Sequence, residues 1–283
     1  MKISQLNEPW NDSALVVTVG NNSVNPVRIM LDCGANGLHR DVLKSIDGVL
    51  ITHAHVDHFA SVDSWVRARS RTDLESFVVG PPGITERFAH KLAAYEWDPE
   101  DRFSSSFVVW ETGGTQIRAT RFSRRTNFEA EPVGAREHGG YLMLPCDVKL
   151  RFAPVRHRET PCNAYALEHL GQRVAYVTDT LYCDETLRSL KDGLGTGFDE
   201  LWCEACFFDE EERASERCHF TVFQTARLAK ELKANKLYLV HLSYRYGDEL
   251  YLQRHLSAAR TIFPMTMDPV YFSAGGDKNV IPA

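Results

Sequence analysis

The stretch that decides the fold is Val49-Leu-Ile-Thr-His53-Ala-His55-Val-Asp57-His58. An apolar run typical of a buried strand leads directly into three histidines and one aspartate. Imidazole and carboxylate groups are the ligands that zinc and similar first-row ions take in proteins. On a strand, side chains two apart point the same way, so His53 and His55 can hold one ion together. Asp57 and His58 follow where the chain turns toward a helix, and they can face a second ion.

Closing ligands for two such half-sites are expected where three later strands end. His157 follows the run Phe152-Ala-Pro-Val-Arg, Asp179 ends the run starting at Val174, and His241 ends the run starting at Leu237. Ligand sites of α/β folds gather at the carboxyl ends of strands, so this shared position favours one metal site. Taken singly, Asp179 is also explained as a turn or helix cap, and His241 as a buried histidine.

Short β-branched runs alternate with helical patterns along the whole chain, which predicts the α/β class. The two clearest helices are predicted over 60–71 and 221–233. No stretch rich in Gly, Pro or Ser divides the sequence. We therefore predict a single domain over 1–283, with an irregular surface excursion at about 121–144.

The composition is ordinary for a globular protein, with 283 residues, 43% hydrophobic and 25% charged. The formal net charge of −6 excludes a molecule-wide electrostatic grip on nucleic acid, although a local basic patch is compatible with it. The sequence has no long apolar stretch and no basic start followed by an apolar run, so we expect a cytoplasmic protein without a membrane partner. The seven cysteines are then expected to be reduced thiols.

This set of residues resembles the metallo-β-lactamase superfamily, whose HxHxDH signature is intact between His53 and His58. Leu31-Asp-Cys-Gly34 is similar to the acidic turn that precedes the metal strand in that family. Within the superfamily the chain looks most like the ribonuclease Z-like phosphodiesterases. The passages that carry this closer match are Gly80-Pro-Pro-Gly83, Ala153-Pro-Val-Arg-His157, Glu204-Ala205 with Cys218-His-Phe-Thr221, and Val240-His-Leu-Ser-Tyr-Arg-Tyr246.

The resemblance implies an αββα sandwich that holds two divalent ions. The implied ligands of the first ion are His53, His55 and His157, those of the second ion are Asp57, His58 and His241, and Asp179 bridges the two. Zinc is the expected metal, and manganese or iron would be held by the same groups. The resemblance also implies a homodimer.

The implied enzyme is a metal-dependent phosphodiesterase in which a hydroxide on the ions attacks phosphorus. His219, oriented by Glu204, would contact the scissile phosphate and give a proton to the leaving oxygen. Asp57 would also orient or deprotonate the attacking water. Hydrolysis of a small or cyclic nucleotide is the first functional hypothesis. A lactam or thioester hydrolase would need no histidine at position 219.

Two departures from the family bear on the substrate. Full ribonuclease Z enzymes carry a long arm that grips transfer RNA between the positions matching His157 and Asp179, and only the short stretch 158–178 lies there. Cysteines flank Glu204-Ala205, where the family often has His and Thr, and we interpret this CxxC as coincidence. The alternative functions are transfer RNA 3′-processing, with RNA held by the 118–136 segment or a dimer partner, and a non-enzymatic binding scaffold.

Overall fold

The computed structural model describes residues 1–20, 26–98, 103–113, 116–137 and 139–270. These residues group into two compact units. The N-terminal unit is formed by Lys2–Leu6 and Ala14–Gly139. The C-terminal unit contains Met1, Asn7–Ser13 and the described chain from Gly140 onward. The single domain over 1–283 stays a prediction.

The N-terminal unit is built on an eight-stranded sheet whose spatial order follows the chain. The outer pairs are antiparallel and the four central strands run parallel to one another. The strands are β1 (Lys2–Gln5), β2 (Leu15–Val19), β3 (Val27–Leu31), β4 (Gly48–Leu50), β5 (Glu75–Gly80), β6 (Ser106–Gly113), β7 (Gln116–Ser123) and β8 (Ala130–Glu137). The helices are α1 (Arg40–Ser45), α2 (Val56–Phe59), α3 (Val62–Arg69) and α4 (Ile84–Ala93). Parallel strands buried on both faces explain the continuous apolar runs of the sequence.

The C-terminal unit is built on a six-stranded sheet, again with neighbouring strands in chain order. The strands are β9 (Leu142–Leu144), β10 (Val148–His157), β11 (Thr160–His169), β12 (Gln172–Val177), β13 (Glu200–Glu204) and β14 (Lys236–Val240). Strands β9 to β12 are antiparallel, and β12 to β14 are parallel. The helices are α5 (Asp184–Leu194), α6 (Glu211–Arg217), α7 (Val222–Glu231) and α8 (Glu249–Ile262). Each unit thus joins one sheet to several helices, which confirms the predicted α/β class.

The helix predicted over 60–71 is α3, which begins at Val62 and ends at Arg69. A break at residues 60 and 61 separates it from the short helix α2. Ser61 causes the break, because its backbone N–H donates to Cys33 and its hydroxyl donates to the carbonyl of Ala35, at 2.8 and 2.7 Å. A serine whose groups bond outside the helix competes with helical hydrogen bonding. The helix predicted over 221–233 is α7, and it begins with a capping box formed by Thr221 and Gln224.

The stretch 121–144, which the sequence predicts to be an irregular surface excursion, is mostly strand in the structure. It contains the end of β7, the whole of β8, which is the edge strand of its sheet, and β9. Strand β8 carries Pro132 and Gly134 and is exposed from Glu131 to Ala135, so it lacks the apolar alternation by which a strand is recognised. His138 of this stretch lies outside the described residues.

Among the residues that the structure describes, no helix has both the length and the apolar character needed to cross a membrane.

Candidate metal centre

A buried aspartate organises the predicted ligands of the N-terminal unit. Asp32 follows β3, is fully buried and has a φ of 56°. Its carboxylate accepts hydrogen bonds from the backbone N–H and the hydroxyl of Thr52, at 2.7 and 2.9 Å. It also lies 2.8 Å from Nδ1 of His58. This contact holds the His58 ring in one orientation and leaves its Nε2 as the atom that can bind an ion.

The predicted histidines of this unit lie together in the loop that follows β4. The ring of His53 lies 4.4 Å from that of His55 and 4.2 Å from that of His58, centroid to centroid. The Thr52 hydroxyl lies 3.1 Å from Nδ1 of His53, so Nε2 of this ring also faces away from its partner. His53 and His55 are in a loop rather than on the strand, and their rings nevertheless lie close together.

The first turn of α2 brings Asp57 to the same place. Its Oδ2 lies 3.6 Å from Nε2 of His58, which is longer than a hydrogen bond. Two ligand atoms on one tetrahedral zinc at about 2.0–2.1 Å would lie ~3.3 Å apart, so this spacing suits a shared ion. Gly34 allows the close packing here, because a Cβ at this position would lie 1.7 Å from the carbonyl oxygen of Asp57.

The remaining predicted residues meet at one edge of the C-terminal sheet. His157 ends β10, Asp179 follows β12, Glu204 ends β13, and His241 follows β14. Strand β10 is antiparallel to β11, which is antiparallel to β12, so β10 points the same way as the three parallel strands. The carboxyl ends of all four strands therefore lie at one edge. Residues up to 84 positions apart become neighbours for this reason.

Asp179 occupies the middle of this edge. Its Oδ2 lies 3.7 Å from Nε2 of His157, and its Oδ1 lies 3.4 Å from Nε2 of His241. The side chain is nearly buried, and the Thr178 hydroxyl donates to Oδ1 at 2.6 Å. Each carboxylate oxygen thus faces a different imidazole at a spacing suited to a shared ion. A carboxylate placed in this way can bridge two ions.

The tautomer and charge of His157 also suit a metal ligand. Its Nδ1 lies 3.2 Å from the carbonyl oxygen of Cys218, to which an N–H can donate, and this leaves Nε2 for an ion. Burial lowers the pKa of His157, and the nearby Asp179 carboxylate only partly offsets that effect. The neutral imidazole, which is the form that binds metal, is therefore favoured.

The Glu204–His219 pair is present beside Asp179. Nδ1 of His219 lies 2.9 Å from Oε2 of Glu204 and 3.9 Å from Oδ2 of Asp179. Glu204 is fully buried, and its Oε1 accepts the backbone N–H of Thr180 at 2.8 Å. Burial lowers the pKa of His219, but the Glu204 carboxylate and Asp179 raise it by more, so the net pKa is above the usual value. The two carboxylates therefore favour the protonated form of His219, whose side chain is 15% exposed.

Two residues of this region were not predicted as site residues. Asp32 was noted only as part of the turn Leu31-Asp-Cys-Gly34. Cys206 has its sulfur within 4.8 Å of ligand atoms of Glu204, His219 and His241. Burial raises the pKa of the Cys206 thiol although His241 hydrogen-bonds it, so the sulfur stays protonated. Nothing in a single sequence distinguishes a thiol that packs beside a ligand from one that does not.

The donor set within each unit fits divalent metal. It consists of imidazole nitrogens and carboxylate oxygens, and this set suits zinc, manganese and iron. Protein partners contact the Nδ1 atoms of His53, His58 and His157, which leaves the Nε2 atoms of these rings for an ion. Cys203 of the CxxC is fully buried, and burial raises its pKa well above the usual value. All seven cysteines lie in the part of the chain that the structure describes, and none of them forms a disulfide bond. A zinc site that consists of this pair alone is therefore disfavoured.

Comparisons with known proteins agree with this chemistry. The family described as "Beta-lactamase superfamily domain" matches residues 27–242. Ribonuclease Z from Deinococcus radiodurans is 26% identical, over 92% of this chain and 95% of that protein. Ribonuclease Z from Acaryochloris marina is 36% identical, over 84% of this chain and 83% of that protein.

Solved structures show the same fold. The metallo-beta-lactamase fold protein YhfI from Bacillus subtilis matches with a TM-score of 0.64 at 19% identity, over 93% of this chain and 94% of that one. The short form of human tRNase Z matches with a TM-score of 0.59 at 16% identity, over 88% of this chain and 95% of that one. The predicted fold of the metallo-β-lactamase type is confirmed.

Proposed function

The chain belongs to the metallo-β-lactamase superfamily, in its ribonuclease Z-like branch, and it is a metal-dependent hydrolase. We propose that it is an endoribonuclease that hydrolyses a phosphodiester bond in precursor transfer RNA. The curated relatives favour this alternative over the first hypothesis from the sequence, a phosphodiesterase of small or cyclic nucleotides. A non-enzymatic scaffold is disfavoured, because every residue of the implied ligand set is present. A cytoplasmic location and a homodimer stay predictions.

Seven side chains would hold two ions in the proposed enzyme. His53, His55 and His157 would bind the first, Asp57, His58 and His241 the second, with Asp179 between them. The assignment combines residues of both units, and it rests on the family resemblance. The spacings around Asp179 and between Asp57 and His58 support it from within each unit.

Two divalent ions, when bound, supply a nucleophile from water at neutral pH and neutralise charge on a phosphoryl oxygen. His219 then has a separate task. Its Nδ1 is hydrogen-bonded to Glu204, so Nε2 carries the proton that can pass to the leaving oxygen. Glu204 fixes this tautomer and favours the charged ring. Asp57 would orient the attacking water.

The single observation that carries the proposal is the Glu204–His219 pair beside Asp179. A lactam or thioester hydrolase has no need for a protonated imidazole held by a buried carboxylate at that place. A phosphodiester with a poor leaving group does need such a proton donor.

Small or cyclic nucleotides are the second candidate substrate, for a specific reason. Strands β11 and β12 form a tight hairpin joined by Leu170 and Gly171, and no arm lies between His157 and Asp179. The alignment with the Deinococcus protein runs over 317 positions, which exceeds the 283 residues of this chain. That relative therefore contains segments that this chain lacks.

A substrate panel separates the candidates. The metal-loaded protein is given precursor transfer RNA with a 3′ trailer, cyclic mono- and dinucleotides, and bis(p-nitrophenyl) phosphate, each with and without a chelator. We expect metal-dependent release of the trailer at one position. Hydrolysis of the cyclic nucleotides without cleavage of the RNA would replace the proposal with the second candidate. Inactivity on all substrates after reconstitution with Zn²⁺, Mn²⁺ and Fe²⁺ would overturn both.

A further inference from the structure

The N-terminal unit contains a cavity of about 490 Å³ that the mechanism does not use. Its walls come from α3 and the two residues that follow it, from the segment 95–98 that follows α4, and from the turn after β7. Its volume falls within the roughly 300–1,000 Å³ range of small-ligand sites. A cavity of this size accommodates one nucleotide.

Two arginines that have no ion-pair partner among the described residues line one wall. Arg67 lies in the last turn of α3 and Arg71 follows the end of that helix; both line the cavity and both are exposed. No described residue forms an ion pair with either guanidinium. Asp63, which also lines the cavity, is bound to Lys91 at 2.6 Å and to Tyr95. The two guanidinium groups are therefore available to an anion, and their geometry suits phosphate.

A rigid aromatic wall faces the cavity. The indole N–H of Trp97 donates to the carbonyl oxygen of Leu92 at 2.9 Å, and its ring packs edge-on against Phe128 with centroids 4.7 Å apart. The guanidinium of Arg124 lies over the ring at 5.5 Å and also donates to the carbonyl oxygen of Asp98. Aromatic rings and guanidinium planes are the surfaces on which unpaired RNA bases stack.

We propose that this cavity binds one nucleotide unit of an RNA strand, with its base against Trp97 and Arg124 and its phosphate at Arg67 and Arg71. Glu96 and Asp98 also line the cavity and disfavour a merely polyanionic ligand without a base. The inference rests on the proposed function for its choice of RNA as the ligand. This chain lacks the long arm and has a net charge of −6. The cavity would provide a local binding site for the RNA substrate.

The test compares two double variants that each remove two exposed positive charges from the same unit. Arg67→Ala/Arg71→Ala alters the cavity, and Arg40→Ala/Arg87→Ala is the control, on α1 and α4. Fluorescence anisotropy gives the Kd of the metal-loaded proteins for labelled mature transfer RNA and for a labelled single-stranded RNA. We expect the cavity variant to raise the Kd for at least one RNA about tenfold, and to reduce the salt slope for single-stranded RNA by about 1.4. Turnover of bis(p-nitrophenyl) phosphate should not change.

A change of less than threefold for both RNAs, or an equal change in the control variant, overturns the proposal. So does absence of RNA binding by the unaltered protein. The Trp97→Leu variant, whose folding is checked by its thermal unfolding midpoint, should bind RNA about threefold or more weakly. An unchanged Kd would contradict the stacking role of Trp97. Unlabelled AMP as a competitor distinguishes a free mononucleotide from a unit of RNA, and displacement at equal nucleotide concentration would overturn the assignment to RNA. If precursor RNA is bound through Arg67 and Arg71 but not cleaved, the proposed function fails and this inference stands.

Discussion

Each unit contains one carboxylate–histidine pair, and the two pairs have nearly the same length. Asp32 lies 2.8 Å from His58 in the N-terminal unit, and Glu204 lies 2.9 Å from His219 in the C-terminal unit. The difference is burial, because both members of the first pair are inaccessible, whereas the His219 side chain is 15% exposed. A buried pair can only orient a ligand, while a partly open one can exchange a proton with a substrate. The same kind of contact therefore has two roles: the buried pair orients a metal ligand, and the partly exposed pair can supply a proton.

The largest effect should follow from removing the open histidine. His219→Ala is expected to lower kcat for phosphodiester hydrolysis about 10²–10⁴-fold, because the leaving oxygen loses its proton donor. Metal content, measured by elemental analysis of the same sample, should equal that of the unaltered protein. His90→Ala, at an exposed position of α4, is the matched control. If the His219→Ala variant also loses its metal, His219 is a metal ligand, and the two pairs do not differ in role.

Breaking the buried pair should instead affect the metal. Asp32→Asn leaves His58 without its charged partner, so we expect metal affinity to fall about 10–100-fold. The free energy of unfolding should also fall by about 1–3 kcal/mol. The amide keeps one acceptor for Thr52, but its NH2 group replaces the oxygen that faces Nδ1 of His58. Competition with a chelator and thermal unfolding measure the two quantities. Asp41→Asn, whose side chain is 84% exposed, should change neither. Unchanged metal affinity in Asp32→Asn would show that the pair does not orient a ligand.

The smallest effect should be a displacement of the pH profile. Glu204→Gln keeps an acceptor for the N–H of Thr180 but removes the charge that holds the pKa of His219 above its usual value. The lowered pKa means that His219 loses its proton at a lower pH. The alkaline limb of the kcat–pH profile should therefore move to lower pH, with kcat reduced several-fold. Glu212→Gln, on the exposed first turn of α6, is the control. If the alkaline limb of Glu204→Gln does not move, the pKa that sets this limb belongs to a group other than His219.

The sequence predicts the two halves of the centre by different means. Four ligands within six residues identify the N-terminal half directly, because such a cluster has few structural explanations. The C-terminal half is scattered from His157 to His241, and only the rule that parallel strands place their carboxyl ends together unites it. That rule was sufficient for His157, Asp179 and His241, which do meet at one sheet edge.

Other features depend on contacts that a sequence does not record. The orientation of His58 by Asp32 joins residues 26 positions apart through a backbone turn with positive φ. The break between α2 and α3 depends on where the Ser61 hydroxyl finds its acceptor. The strand β8 is held by pairing with β7 rather than by its own side chains, which are mostly exposed. The cavity beside Trp97 combines three segments whose separate sequences look like ordinary surface.

Both sheets add their strands in the order in which the chain is made, and this has a consequence for biosynthesis. On a ribosome that extends the chain by about 5–20 residues per second, His58 would emerge roughly 10–40 s before His241. The contact between Asp32 and His58 involves only residues near the start of the chain, so it can form during that interval. Nascent chains would then already present an ordered cluster of imidazoles to a divalent metal ion while the later ligands are still untranslated.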